Sequence, residues 1–166
     1  MNKRGTARFI TRAGVVAALY VVLTYLSALC GLSIGIYQFR ISEVLCILPV
    51  FMVEAIPGLA IGCLIANMIS GSLVIDVIFG SIATLIGAIG AYLLRKLPNK
   101  LIWLSTLPNV IANTLIIPPI LVYVYRIDET YLLITFAIFV SQFVTAGIGG
   151  TMLYPVIKKS KLDRIM

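Results

Sequence analysis

The chain has 166 residues, 61% of them hydrophobic and only 11% charged, with a formal net charge of +7. Soluble domains are nearer half apolar and a quarter charged, so this composition excludes an ordinary soluble protein and points to the bilayer. Histidine is absent, which removes the commonest metal ligand and the commonest general base together.

Apolar runs occupy about 11–34, 44–70, 73–94, 101–125 and 131–157. Each approaches or exceeds the roughly 20 residues that cross a bilayer as helix. The first run has no small-residue cleavage site soon after it and is read as a retained span. No room is left for a separate soluble domain. Residues 1–166 are therefore predicted to form one transmembrane domain, with short basic ends at about 1–10 and 158–166.

The stretch "YQFRISEVL" at 37–45 sets Arg40 and Glu43 beside the second run. That run, 44–70, carries Glu54 and then "IPG" at 56–58 near its middle. Pro57 lacks an amide proton and disfavours helix in the residue before it, and Gly58 adds flexibility. The break predicts two short helices, about 44–55 and 57–70. The alternative is one long tilted helix kinked at Pro57.

Charge decides between the two. Lys3, Arg4, Arg8 and Arg12 precede the first span, Arg95, Lys96 and Lys100 form a central cluster, and Lys158, Lys159, Lys161 and Arg164 close the chain. Basic residues mark cytoplasmic ends. Five crossings would leave the central and terminal clusters outside. Six place all eleven of these residues inside and only Arg40 and Arg126 outside. The predicted fold is all-α, with six transmembrane helices, short second and third helices and both termini cytoplasmic. This distribution also makes the net charge an orientation signal, not a nucleic-acid surface.

Ionisable and amide side chains within spans are costly and usually face a cavity or a partner. On the six-span topology Arg40, Glu43, Asn67 and Asp76 fall at one depth near the outer face. Asn109 and Asn113, in "LPNVIANTL", sit one helical turn apart on one face. Gln142 lies mid-span in "FVSQFVTAGIGG". Singly, each amide reads as interhelical glue; together with the charges they point to a polar pocket. Glu54, near the cytoplasmic end of its helix, reads as structural and in touch with water. Asp76 has a second reading, as a first-turn acid favoured by the helix dipole. Arg40 and Glu43 can meet a ligand or simply satisfy each other.

Small residues recur at helical spacing: Ala13 with Ala17, Gly14 with Ala18, Gly58 with Gly62, and Gly80, Thr84 and Ala88. Such stripes let helices approach closely, and on the first span they also suit docking to another membrane subunit. Cys30, Cys46 and Cys63 lie in or beside apolar runs and read as small buried residues, not a disulfide framework. No G-x-x-x-x-G-K-[ST] occurs, so ATP binding by a P-loop is excluded. No metal-ligand cluster and no nucleophile–base pair is apparent either, so no cofactor, no metal and no enzyme activity are expected.

The blocks "YQFRISEVLCILPVF", "AIPGLAIGCLIANMISG", "DVIFGSIATLIGA" and "LPNVIANTLI" resemble the QueT-type queuosine-precursor S-components of energy-coupling-factor (ECF) transporters. The likeness covers about residues 10–155, and R-I-S-E together with A-I-P-G-L-x-I-G-C makes it specific. It implies a six-helix cell-membrane subunit that captures substrate at the outer surface and works with a transmembrane coupling subunit and two ATPases. It further implies an A-x-x-x-A docking signature in the first helix, matched by Ala13 and Ala17. The implied ligand is a 7-deazaguanine queuosine precursor or queuine. On that reading Glu43 accepts adjacent N–H groups of the base and Asn67, Asn109 or Asn113 serves its other edge. Asp76 meets an aminomethyl cation where one is carried. Arg40, Tyr37 and Phe39 are placed to stack, or Arg40 to hold Glu43. In the sixth span the family pattern often carries Gly-Glu where this chain has Ser141-Gln142, which puts the identity of the base in question.

Three other readings stand beside this one. An S-component for another vitamin or base shares the scaffold. A small secondary transporter would need internal repeats, and the halves show no convincing similarity. A purely structural membrane protein would not need four polar side chains clustered at one depth.

Overall fold

The computed structural model describes residues 3–34 and 37–160, and the side chains of 5–32 and 38–160. Its helices are α1 (Lys3–Leu29), α2 (Ala55–Ile69), α3 (Val74–Leu93), α4 (Leu107–Tyr123), α5 (Tyr131–Gln142) and α6 (Gly150–Lys159). A 3-10 helix at Ile41–Val50 precedes α2, and another at Asn99–Thr106 leads into α4. A π-helical segment, Phe143–Gly149, joins α5 to α6. Outside the helices, strands β1 (Ser33–Ile34) and β2 (Tyr37–Gln38) pair antiparallel, Ser33 opposite Gln38.

Four helical runs are long and apolar enough to cross a membrane: Gly5–Leu29, Val74–Lys96, Asn99–Val124 and Tyr131–Lys159. Ile41–Val50 and Ala55–Ile69 are apolar but shorter. At about 2 Å per residue for 3-10 helix and 1.5 Å for α-helix, neither reaches the roughly 30 Å of a hydrocarbon core. Burial is inverted relative to a soluble protein. Leu115, Leu132 and Phe136 point outward, whereas Glu43, Asn67, Asp76, Asn109, Asn113 and Gln142 are buried. An apolar exterior around a polar interior is what lipid as solvent selects.

The interruption of the second apolar run lies elsewhere than the sequence suggests. The chain leaves the 3-10 helix after Val50, turns through 51–54 and starts α2 at Ala55. Pro57 therefore occupies the first turn of α2, where its missing N–H would have had no intrahelical partner. It opens a helix; it does not break one. Gly58 is a packing residue as well. A Cβ there would come within 2.7 Å of the Ala13 carbonyl oxygen, and one at Gly62 within 2.8 Å of Tyr20 Cβ. α1 and α2 meet across this glycine edge, with Ala13 and Ala17 buried in the seam. On α3 the same device admits α4, since a Cβ at Gly87 would land on Asn109 and one at Gly90 on Pro108.

The bundle has two chemically distinct ends. At one, Arg12 pairs with Glu54 at 3.1 Å, and Tyr154 and Lys158 both donate to Asn99 Oδ1. Glu54, expected merely to touch water, is thus an ion-pair partner tying α1 to the 51–54 turn. At the other end Gln38, Arg40, Ser70, Ser72, Tyr125 and Ile127 surround one chamber.

Candidate substrate-binding site

Between the ends, side chains from four segments gather around Glu43. In the 3-10 helix residues i and i+3 eclipse, so Cys46 stands beside Glu43 and its Sγ lies 3.3 Å from Oε2. Tyr20, fully buried in α1, donates its hydroxyl to Glu43 Oε1 at 2.5 Å. Asn109 in α4 donates to Oε2 at 2.8 Å and also reaches Gln142 Oε1 at 3.4 Å. One turn on, Asn113 Nδ2 donates to the Asn109 backbone oxygen at 3.0 Å. Glu43 is 1% exposed. Three donors meet the demand of a carboxylate taken out of water.

Beside this cluster lies a narrow cavity of about 10 Å³, the room one water molecule needs. Gln38, Arg40, Glu43, Cys63, Asn113 and Gln142 contribute polar or thiol groups to its wall, with Gly80, Thr84, Ile117 and Ile138 completing it. Its hydrogen-bonding capacity is not used up by the protein. Among the described residues Asn113 Oδ1 and Gln142 Nε2 have no partner, and neither belongs to a sealed-off atom. Glu43 Oε1 keeps a second lone pair beyond the one Tyr20 takes. A ligand here meets one donor, one acceptor and a carboxylate.

Arg40 closes the cavity on the side of the loops. Its guanidinium donates to Asn67 Oδ1 at 2.8 Å and to Gln38 Oε1 at 3.3 Å. No Arg40–Glu43 ion pair forms among the described residues; the arginine is held by neutral amides instead. Asn67 fits because it lies across Gly80, where a Cβ would stand 3.0 Å from Asn67 Nδ2. Beyond Arg40 and Gln38, which line both spaces, opens an outer chamber of about 400 Å³. Asp76 and Tyr125 belong to this chamber, not to the inner cavity.

The structure thus brings Arg40, Glu43, Asn113 and Gln142 to one cavity, with Asn67 and Asn109 bonded directly to its wall. The side chain of Tyr37 lies outside the described residues. Ala13 and Ala17 are buried against α2, while Gly14 and Ala18 on the same helix face outward. Sequence reasoning overlooked Tyr20 and Gln38, took Thr84 only as part of a packing stripe, and read Cys46 and Cys63 as small buried residues and not as wall or neighbour groups of the site. For Tyr20 there was a usable signal, because a tyrosine hydroxyl inside a span needs a partner.

A multi-pass helical membrane protein that gathers buried polar and charged side chains at its centre has the features of a small-molecule transport protein. A family model described as "QueT transporter" matches residues 10–159. The chain is 31% identical over 171 residues to the queuosine precursor transporter QueT of Lactococcus lactis subsp. cremoris (strain MG1363), spanning 99% of this chain and 100% of the relative. No solved structure matches the chain. The chain belongs to the QueT transporter family, whose members are transporters and not enzymes.

Proposed function

We propose that this protein is the substrate-capturing membrane subunit of an ECF-type importer, and that its ligand is a 7-deazaguanine base, a queuosine precursor or queuine. The observation that carries this reading is the buried Glu43, held rigidly by Tyr20 and Asn109 at the wall of a cavity whose remaining free groups are one amide donor and one amide acceptor. A guanine-type edge presents a carbonyl acceptor beside two N–H donors. The carbonyl suits Gln142 Nε2 or Arg40, and the N–H groups suit Glu43 and Asn113 Oδ1. Charge-assisted bonds to Glu43 would supply the strongest contacts. The inner cleft measures about 10 Å³ as it stands, so a base enters it only as the Arg40 side of the wall moves out into the chamber beyond.

Six crossings with both termini in the cytoplasm agree with the basic end of the bundle, where Arg12, Arg95, Lys100 and Lys158 lie. The chamber beyond Arg40 then opens outward, as capture from outside requires. ATP hydrolysis falls to partner subunits, since the sequence has no P-loop. The resemblance to S-components assigns coupling-subunit docking to Ala13 and Ala17. Because these two are buried against α2, we place that contact on the adjacent outward pair, Gly14 and Ala18.

Calorimetric titration of the purified protein in detergent tests the reading, with 7-deazaguanine bases as ligands and riboflavin and thiamine as controls. Submicromolar binding confined to the deazaguanines is the expected result. Binding of a vitamin control, with none of the bases, would reject the ligand while leaving the transport class intact.

A further inference from the structure

One buried acid has no function in the inner cavity. Asp76 stands in the first turn of α3, is 4% exposed and lines the outer chamber with Gln38, Arg40, Ser70, Ser72 and Tyr125. Among the described residues its carboxylate accepts a single hydrogen bond, from the Tyr125 hydroxyl at 3.2 Å. That hydroxyl in turn accepts from the Leu73 amide at 3.0 Å, so its proton is directed at Asp76. Arg126, next in the chain, adopts φ of 52°, a conformation rare outside glycine. A carboxylate has about four acceptor positions, and one long bond from a neutral phenol leaves most of them open. Buried carboxylates are normally paired.

Among the described residues, Arg40 is the cation that lines these walls, and it does not fill that need. Arg40 is bonded to Asn67 and Gln38 and forms an ion pair with neither acid. Across the two chambers the lining charges are therefore Glu43 and Asp76 against Arg40, two negative and one positive, an excess of one negative charge. A ligand that spans both chambers and brings one positive charge leaves none uncompensated.

We propose that Asp76 and Tyr125 form a subsite for a protonated primary amine carried by the ligand, separate from the groups that hold its ring. An alkylammonium has three donors on a compact head. Asp76 takes one, and the hydroxyls of Ser70 and Ser72 on the same wall are acceptors for the others. Arg40 and Gln38, shared by the two chambers, mark where the ring ends and the amine-bearing arm begins. The subsite thus selects among bases of one ring system by the charge of their substituent. This inference rests on the base-binding reading given above.

The test compares two bases of nearly equal size, 7-aminomethyl-7-deazaguanine and 7-cyano-7-deazaguanine, by calorimetry on the full-length protein. In the wild type the amine is expected to bind at least ~10-fold tighter, the scale of a charge-assisted bond. Asp76→Asn should bring the ratio of the two affinities to about unity, and Tyr125→Phe should narrow it. If Asp76→Asn fails to fold, as judged by its thermal transition, Tyr125→Phe decides, and an unchanged ratio there overturns the proposal. Equal affinities in the wild type, or a preference that survives Asp76→Asn, also overturn it, while leaving the base-binding reading standing. Failure of both bases to bind would remove that reading and this subsite with it.

Discussion

The Tyr20 hydroxyl donates to Glu43 Oε1 across 2.5 Å, joining α1 to the 3-10 helix at the depth of the inner cavity. Neither residue is exposed, so the bond orients the carboxylate without competition from water. It also links two seams. Tyr20 is pressed on by Gly62 of α2, and Glu43 is bonded to Asn109, which is pressed on by Gly87 of α3. The pocket is therefore positioned by glycine contacts that never touch a ligand.

Tyr20→Phe keeps the ring and removes the donor. A hydrogen bond to a charged group contributes about 1.5–3 kcal/mol, so ligand affinity should fall roughly 10- to 100-fold. Calorimetry checks the affinity, and an unchanged helical circular-dichroism spectrum shows that the bundle persists.

Gly62→Ala should act on the same bond from behind. Its new Cβ would stand 2.8 Å from Tyr20 Cβ and 3.0 Å from Ala17 Cα, so α1 and α2 must separate. Overpacking of this kind costs about 1–3 kcal/mol. A lowered thermal midpoint together with weakened binding is the expected pair of results. At Gly14 an added Cβ has nothing within 4 Å, so Gly14→Ala should leave the midpoint unchanged or raise it.

The barrier between the chambers depends on Asn67, which holds Arg40 at 2.8 Å. Asn67→Ala frees the guanidinium and should raise the ligand off-rate about 10-fold or more. Stopped-flow measurement of ligand release distinguishes this from an effect on entry alone. An off-rate equal to that of the wild type would show that Arg40 is not a barrier.

At the opposite end, Glu54→Gln removes the charge that pairs with Arg12 and leaves at most a neutral hydrogen bond. Arg12 is 35% exposed and Glu54 13%, so the pair contributes at most about 1 kcal/mol. Thermal stability should drop slightly while the ligand Kd stays as in the wild type. A large loss of affinity would mean that the two ends are coupled through α1.

Much of this arrangement was readable from residue spacing. Asn109 and Asn113 share a helix face because i and i+4 must, and the inner position of Gln142 follows from its place mid-span. Keeping all three basic clusters on one side required two segments in place of one long second span, and two apolar segments are present. What spacing does not encode is which neighbour a polar group chooses. Arg40 selects Asn67, 27 residues on, over Glu43 three residues away, because the tight 3-10 turn carries Glu43 inward while Gly80 makes room for the amide. Pro57 misled for a related reason. A proline that ends one helix and a proline that begins the next look alike in sequence, and only the first-turn position tells them apart. The buried small residues of α1 could not be told from the outward ones until α2 was in place.

Ligand binding in the inner cavity is proposed to turn on Glu43. The most direct measurement is a side-by-side titration of wild type and Glu43→Gln with a single 7-deazaguanine base, at matched protein stability. The substitution keeps the side-chain volume and removes the charge that the ligand's N–H groups are proposed to meet. A loss of affinity of at least ~10-fold, with the thermal midpoint held, is the predicted result. Equal affinity in the two proteins would contradict it and move the binding site away from the inner cavity.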